Sequence, residues 1–184
     1  ASTNIPFTTT GNDAVSWAVD SVHFVSVGDA ALRSELASPA GAGLVGACLS
    51  VEVLRATEPS ANGQRITVSS YYNNWAAIAG GEPKYGGQFW HDASDTTTPD
   101  DGFKCFVTTG GKRWKRVKGV YSVGHAGAVE DKNTESTTRI QAAIDGTQSG
   151  HELRFEGGPF NFDKVTLSKA IILTADADLT HNGF

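Results

Sequence analysis

The chain has 184 residues and a net charge of -5, from 15 Lys and Arg against 20 Asp and Glu. That balance argues against nucleic acid as a partner, because neutralising phosphates requires an excess of cations. No run of about 20 apolar residues is present to insert in a membrane, and the long uncharged stretch Leu36 to Val51 is broken by Ser38, Pro39, Gly41, Gly43 and Gly46. The length accommodates one large domain or two to three small ones.

The N-terminus has neither the basic leader nor the apolar block of a secretory signal. The two cysteines, Cys48 and Cys105, lie far apart in apolar settings. A disulfide scaffold or zinc site needs more ligands at closer spacing, so both are expected as buried free thiols of a chain folded in a reducing cytosol.

Residues 1–20 are rich in Ser, Thr and Asn. The alternation of Trp17 and Val19 with polar neighbours favours a strand clipped onto a partner over disorder. A short strand is expected over Val22–Val27. A helix from Ala30 to Ala37 follows, with Asp29 as its N-cap, Leu32 and Leu36 on one face, and Pro39 and Gly41 ending it. Ser50 is placed to cap a second helix over Val51–Ala56, and Asn62-Gly63 marks a turn.

Beyond that turn the period changes to two. Strands are expected at Arg65–Val68, Gln88–His91 and Phe103–Val107, and Gly110-Gly111 separates the last of these from Arg113–Val117 as a hairpin. The Gly-rich, aromatic Tyr71–Gln88 segment is expected as a surface loop packed through Tyr71, Tyr72 and Trp75. A helix over Ser136–Asp145 follows, with Ile140, Ala143 and Ile144 on one stripe and Gly146 as its stop. Short strands come next, at Leu153 and Phe155, Phe160 and Phe162, Val165 and Leu167, Ile171 to Leu173, and near Leu179. Strands at such tight spacing suit a sandwich or the coils of a β-helix. A β-helix ending here would have an uncovered coil, so the chain looks cut off.

Three stretches carry a family resemblance. They are Ala31–Ser38 with Gly43-Leu44-Val45-Gly46; Leu54-Arg55-Ala56 through Gly86–Asp95, Asp100-Asp101-Gly102 and Gly110–Arg116; and Gly127-Ala128-Val129 followed by Thr138–Asp145. Together they resemble the N-terminal region of bacteriophage tailspike and tail-fibre proteins whose body is a pectate-lyase-like right-handed β-helix. The third stretch is similar to a "GAVGDG…AIQAAID" motif whose helix caps the first coil. It departs from that pattern after Val129, where Glu130–Glu135 contains no glycine.

The resemblance implies a mainly β fold with short α-helices. Small α+β and β-rich modules would lead into the capping helix (about 136–145) and the first coils of a right-handed parallel β-helix, as a homotrimer. The expected division is a virion-anchoring connector over 1–48, a β-rich module over 49–118 and the start of the β-helix over 119–184. The implied partners are copies of itself, phage tail or baseplate proteins or another tailspike, and host capsular or lipopolysaccharide through a body beyond Phe184. The implied place is the virion tail, after synthesis in the host cytoplasm.

Candidate chemistry is sparse. Asp92, Asp95, Asp100 and Asp101 lack the spacing of a calcium loop and are expected as a solvated turn. Within Lys112–Lys118, strand alternation turns Trp114 and Arg116 one way and Arg113 and Lys115 the other, so Trp114 packs inward. The five histidines are dispersed, no Gly-x-Ser-x-Gly elbow occurs, and Glu152, Glu156 and Asp163 are expected as surface acids. No catalytic residue, metal ligand or cofactor is assigned. The aromatic 71–90 surface is either a core or a carbohydrate platform, and for the second reading the binding residues are Tyr72, Trp75 and Trp90. The two main readings are a tailspike N-terminal part, inactive as a depolymerase by itself, and a small carbohydrate- or receptor-binding module. A compact lyase or hydrolase is a third.

Overall fold

A computed structural model describes residues 11, 13–20, 27–38 and 41–176. The elements in chain order are α1 (Ala14–Asp20), α2 (Val27–Ala37), α3 (Gly41–Val45), β1 (Ala47–Ser50), α4 (Val51–Ala56), β2 (Arg65–Ser70), α5 (Trp75–Ile78), β3 (Tyr85–His91), β4 (Cys105–Val107), β5 (Arg113–Arg116), β6 (Tyr121–Ser122), a 3-10 turn (Val123–Ala126), α6 (Thr137–Gly146), β7 (Glu152–Phe155) and β8 (Ile172–Ala175). They build a mixed α/β fold around two sheets.

The N-terminal segment departs from expectation. Residues 14–20 are a helix, not a strand, because the Asp13 carboxylate accepts the amides of Val15 and Ser16, both at 2.9 Å, and so caps the first turn. The next helix starts at Val27, two residues before the expected cap Asp29, and Gly41 opens α3. The rest of the strand expected over Val22–Val27, Pro39 and the strand near Leu179 lie outside the described residues.

The first sheet has the order β1-β2-β3-β5-β4. Its β1 runs parallel to β2, with Cys48 opposite Val68, and the other four strands pair antiparallel. The expected hairpin across Gly110-Gly111 is β4–β5, with Phe106 opposite Trp114. Ile66, Val68, Phe89, Phe106 and Trp114 share one core with Val51 and Leu54 of α4. That helix has the expected bounds, and the Ser50 hydroxyl accepts the Val53 amide. The segment expected as a loop between Tyr71 and Gln88 is more ordered than that. It holds α5 and the beginning of β3, and Tyr71 and Trp75 are buried in the core.

The second sheet is parallel, in the order β6-β7-β8. Tyr121 faces Leu153, and Leu153 faces Leu173, so one column of side chains crosses all three strands. Helix α6 closes one end of this stack with Ile140, Ala143 and Ile144, all buried against Phe103, Val123 and Leu153. The strands expected at Phe160–Phe162 and Val165–Leu167 do not form. Only a bridge between Glu135 and Asn161 appears there, because no neighbouring strand is aligned to extend a ladder. Phe160, Phe162 and Val165 still pack onto the core.

Gly127 lies between the two cores. Its φ of 89° ends the 3-10 turn, and a Cβ there would meet the Tyr71 ring. Glycine alone satisfies both demands cheaply. Past Val129 the missing glycines are replaced by an aspartate turn: the Asp131 carboxylate accepts the amides of Asn133 and Thr134 and the Thr134 hydroxyl.

Candidate functional site

The aromatic residues singled out by the sequence separate into two places. Tyr72 is half-buried and stacks on Trp75 at 6.0 Å, and its hydroxyl donates to the Gly127 carbonyl at 2.7 Å. Trp75 is 2% exposed and meets Tyr85 edge-on at 5.3 Å. These rings are the wall where the two cores meet. Trp90 lies on the opposite face of the sheet, between Arg65 and Lys115 in register, with the Lys115 ammonium 5.9 Å from its ring. Tyr72 and Trp75 are thus brought together and Trp90 is not.

The acidic run is neither a calcium loop nor an idle solvated turn. Asp92 and Asp95 both hold Lys115 at 2.8 Å. Asp100 accepts two hydrogen bonds from Arg55, each 2.8 Å, and Asp101 caps the amides of Phe103, Lys104 and Cys105. Hydrogen bonds from Lys115 first of all hold the Asp92 and Asp95 carboxyls below the usual range. Among the described residues no group of three or more His, Cys, Asp or Glu could hold a metal ion.

Alternation places Trp114 and Arg116 inward as expected, but Arg116 is much more than a solubilising charge. It is 7% exposed and sandwiched over Phe89 at 4.5 Å. Its guanidinium donates to three carbonyls, those of Gly86, of Phe103 at 2.9 Å and of His125 at 3.1 Å. Strand β5 is thereby tied to β3 and to the 3-10 turn. Burial lowers its pKa to about 10. His125 accepts the Ser122 amide at 2.9 Å, and burial, aided by Arg116, pushes its pKa down to about 4. The signal for Arg116 was present in the strand period, but composition classed it with the surface cations.

Both cysteines are buried and free, and burial pushes each thiol up to about 11, which leaves them protonated and inert. A cleft of about 370 Å³ lined by Lys84, Tyr85, His125, Glu130 and Glu156 is spanned by the Lys84–Glu130 ion pair at 3.1 Å. No nucleophile with an adjacent base appears in it. At the far end of the parallel stack, Phe155, Phe162, Val165 and Leu173 border an apolar groove of about 250 Å³. Leu173 is 44% exposed there although its column partner Leu153 is fully buried.

Residues 47–119 match a family described as phage tail protein small four-stranded beta-sheet domain. A Mu-like prophage FluMu defective tail fiber protein of Haemophilus influenzae is 46% identical over 74 residues, which are 40% of this chain and 11% of that protein. Two solved structures align over longer stretches. The Acinetobacter baumannii phage AM24 tailspike protein is 26% identical with a TM-score of 0.51, covering 64% of this chain and 18% of its own. The full-length tailspike protein 2 of Escherichia coli O157:H7 bacteriophage CAB120 is 21% identical with a TM-score of 0.51, covering 81% of this chain and 23% of its own. The chain therefore spans a small part of the length of these relatives. It is similar to phage tail proteins in sequence over residues 47–119, and in fold, over most of its length, to phage tailspikes.

Proposed function

We propose that this chain is the N-terminal part of a phage tailspike: it attaches the spike to the virion tail and starts the trimeric β-helix. The observation that carries the reading is the succession of a tail-type sheet over residues 47–119 and a parallel rung stack closed by α6. In the stack, β7 and β8 are in register with Leu153 opposite Leu173, a step of one coil. The reading divides the chain into a connector over 1–48, the sheet module over 49–118 and the opening of the β-helix over 119–184. A body beyond Phe184 binds and degrades host surface polysaccharide, and the present segment alone does not.

Deletion of residues 1–118 from the whole spike gene tests the attachment role. Virions carrying the deletion should lose the spike, while the purified remainder keeps its glycan turnover. Spikes retained on such virions would overturn the reading, and so would turnover of a host glycan by the 184-residue chain. The alternative, a carbohydrate- or receptor-binding module on the aromatic 71–90 surface, is weakened by the burial of Trp75, which presents no ring face to a sugar.

A further inference from the structure

The first sheet ends in two unlike edges, β4 and β1. At β4 three outward groups are taken. The Cys105 amide donates to Asp101 Oδ1 at 2.9 Å, the Cys105 carbonyl accepts the Asp101 amide at 3.1 Å, and the Val107 amide donates to Asp100 Oδ2 at 3.0 Å. At β1 the Thr67 amide donates to the Gly46 carbonyl at 2.7 Å, which fixes the alternation. The amide and carbonyl of Cys48 face β2, and those of Ala47 and Leu49 face outward. Among the described residues these outward groups have no partner. A sheet edge is ordinarily kept from pairing by a charge, a proline, a bulge or a covering segment. Apart from its length of four residues, β1 has none of these. No charge lies between Leu36 and Val51, the register with β2 is unbroken, and Ala47 and Leu49 are both exposed. The side chains near the edge are apolar: Leu49 is 66% exposed, and Leu44 and Val45 just before the strand are 60% and 63% exposed.

A second copy does not fill this edge in a threefold spike. Pairing of β1 with β1 of another copy is isologous and closes a two-fold dimer. Pairing of β1 with β4 of another copy is heterologous and would close a ring, but Asp100 and Asp101 already hold the β4 edge. The occupant is therefore a different chain. Main-chain bonds hold an added strand, and the side chains beside it select its sequence. Uncharged surroundings with Leu44, Val45 and Leu49 select apolar residues at alternate positions and exclude charges. The residues that match the phage tail family begin at Ala47, the first residue of β1. We propose that an extended, uncharged segment of a tail component adds to the open edge of β1, and that this added strand holds the spike on the virion. The proposal rests on the attachment reading and the threefold spike, and it names the surface and the mode of docking.

Virions carrying the whole spike test it. Leu49→Pro removes an outward amide and spares the donors that face β2, whereas Leu49→Thr keeps that amide. Leu49→Pro virions should carry about tenfold less spike than wild type by quantitative immunoblot, and Leu49→Thr virions should stay within about threefold of it. In the purified 184-residue chain the Ala47 and Leu49 amides should exchange quickly with solvent and the Cys48 amide slowly. Leu49→Pro should leave the Cys48 amide slow, which shows the sheet intact. Should that variant lose the sheet, Leu49→Lys decides instead, because a charge beside the edge should also lower spike content about tenfold. Wild-type spike content in the deciding variant overturns the proposal, and so does an equal loss in Leu49→Thr. Slow exchange at Ala47 and Leu49 in the purified chain overturns it too, since a copy of the chain would then fill the edge. The attachment reading fails separately, through spikes retained after deletion of residues 1–118.

Discussion

Among single residues, Arg116 concentrates the most consequence. A buried guanidinium that donates only to carbonyls leaves those carbonyls dry when it is removed. Arg116→Ala is expected to lower unfolding free energy by about 3–5 kcal/mol, and Arg116→Lys should recover only part of it. Urea denaturation gives the number, and a loss under about 1 kcal/mol would show that water replaces the side chain. Its neighbour His125 supplies a pH signature. The ring lies 5.7 Å from Tyr85 and 6.5 Å from Tyr121, and its pKa is lowered to about 4 by burial first and Arg116 second. The unfolded ring titrates near pH 6.5. Between about pH 6.5 and 4 the unfolded chain therefore binds a proton that the folded chain refuses, and stability falls as pH falls. The loss is about 3 kcal/mol over that window, and above pH 6.5 the group contributes no slope. His125→Asn keeps an acceptor for the Ser122 amide, so it should flatten stability between pH 6.5 and 5, where few carboxylates yet titrate. A slope that persists in that variant would assign the effect to another group.

Several elements were legible from a local device that stands in the sequence. Ser50 with α4 is the clearest case, since the cap, the first-turn Glu52 and the last-turn Arg55 all stand in the sequence. Ser50→Ala should cost about 1 kcal/mol, measurable as a lower urea midpoint at unchanged m-value. A shift within error would mean that the buried hydroxyl contributes no net capping energy. The β4–β5 hairpin and α6 were legible for the same kind of reason, a Gly-Gly turn and an apolar stripe. Periodicity failed where it was asked to supply a partner. Phe160 and Phe162 do turn inward two residues apart and Val165 packs on the same core, yet a ladder also needs an aligned neighbour, which sequence alone does not announce. At Trp17 and Val19 the alternation was too short to outweigh the cap at Asp13.

At the scale of the whole molecule, apolar side chains stay in water on several elements. Leu32 and Leu36 share a face of α2, at 52% and 43% exposure, and Leu44, Val45 and Leu49 continue the exposed series through α3 and β1. A small chain gains little by leaving such groups uncovered, and contiguous exposed apolar surface marks association. A homotrimer would cover them, so static light scattering should return threefold the 19.4 kDa chain mass. A monomer of this length would instead scatter with a radius of gyration of about 16 Å. The paired change Leu44→Asp and Val45→Asp touches no buried residue, so it should shift the mass toward one chain while the far-ultraviolet circular dichroism spectrum stays unchanged. A wild-type chain that is monomeric at tens of micromolar would remove the trimer from the proposed function. An unchanged trimer in the double variant would keep the trimer and move its interface away from α3.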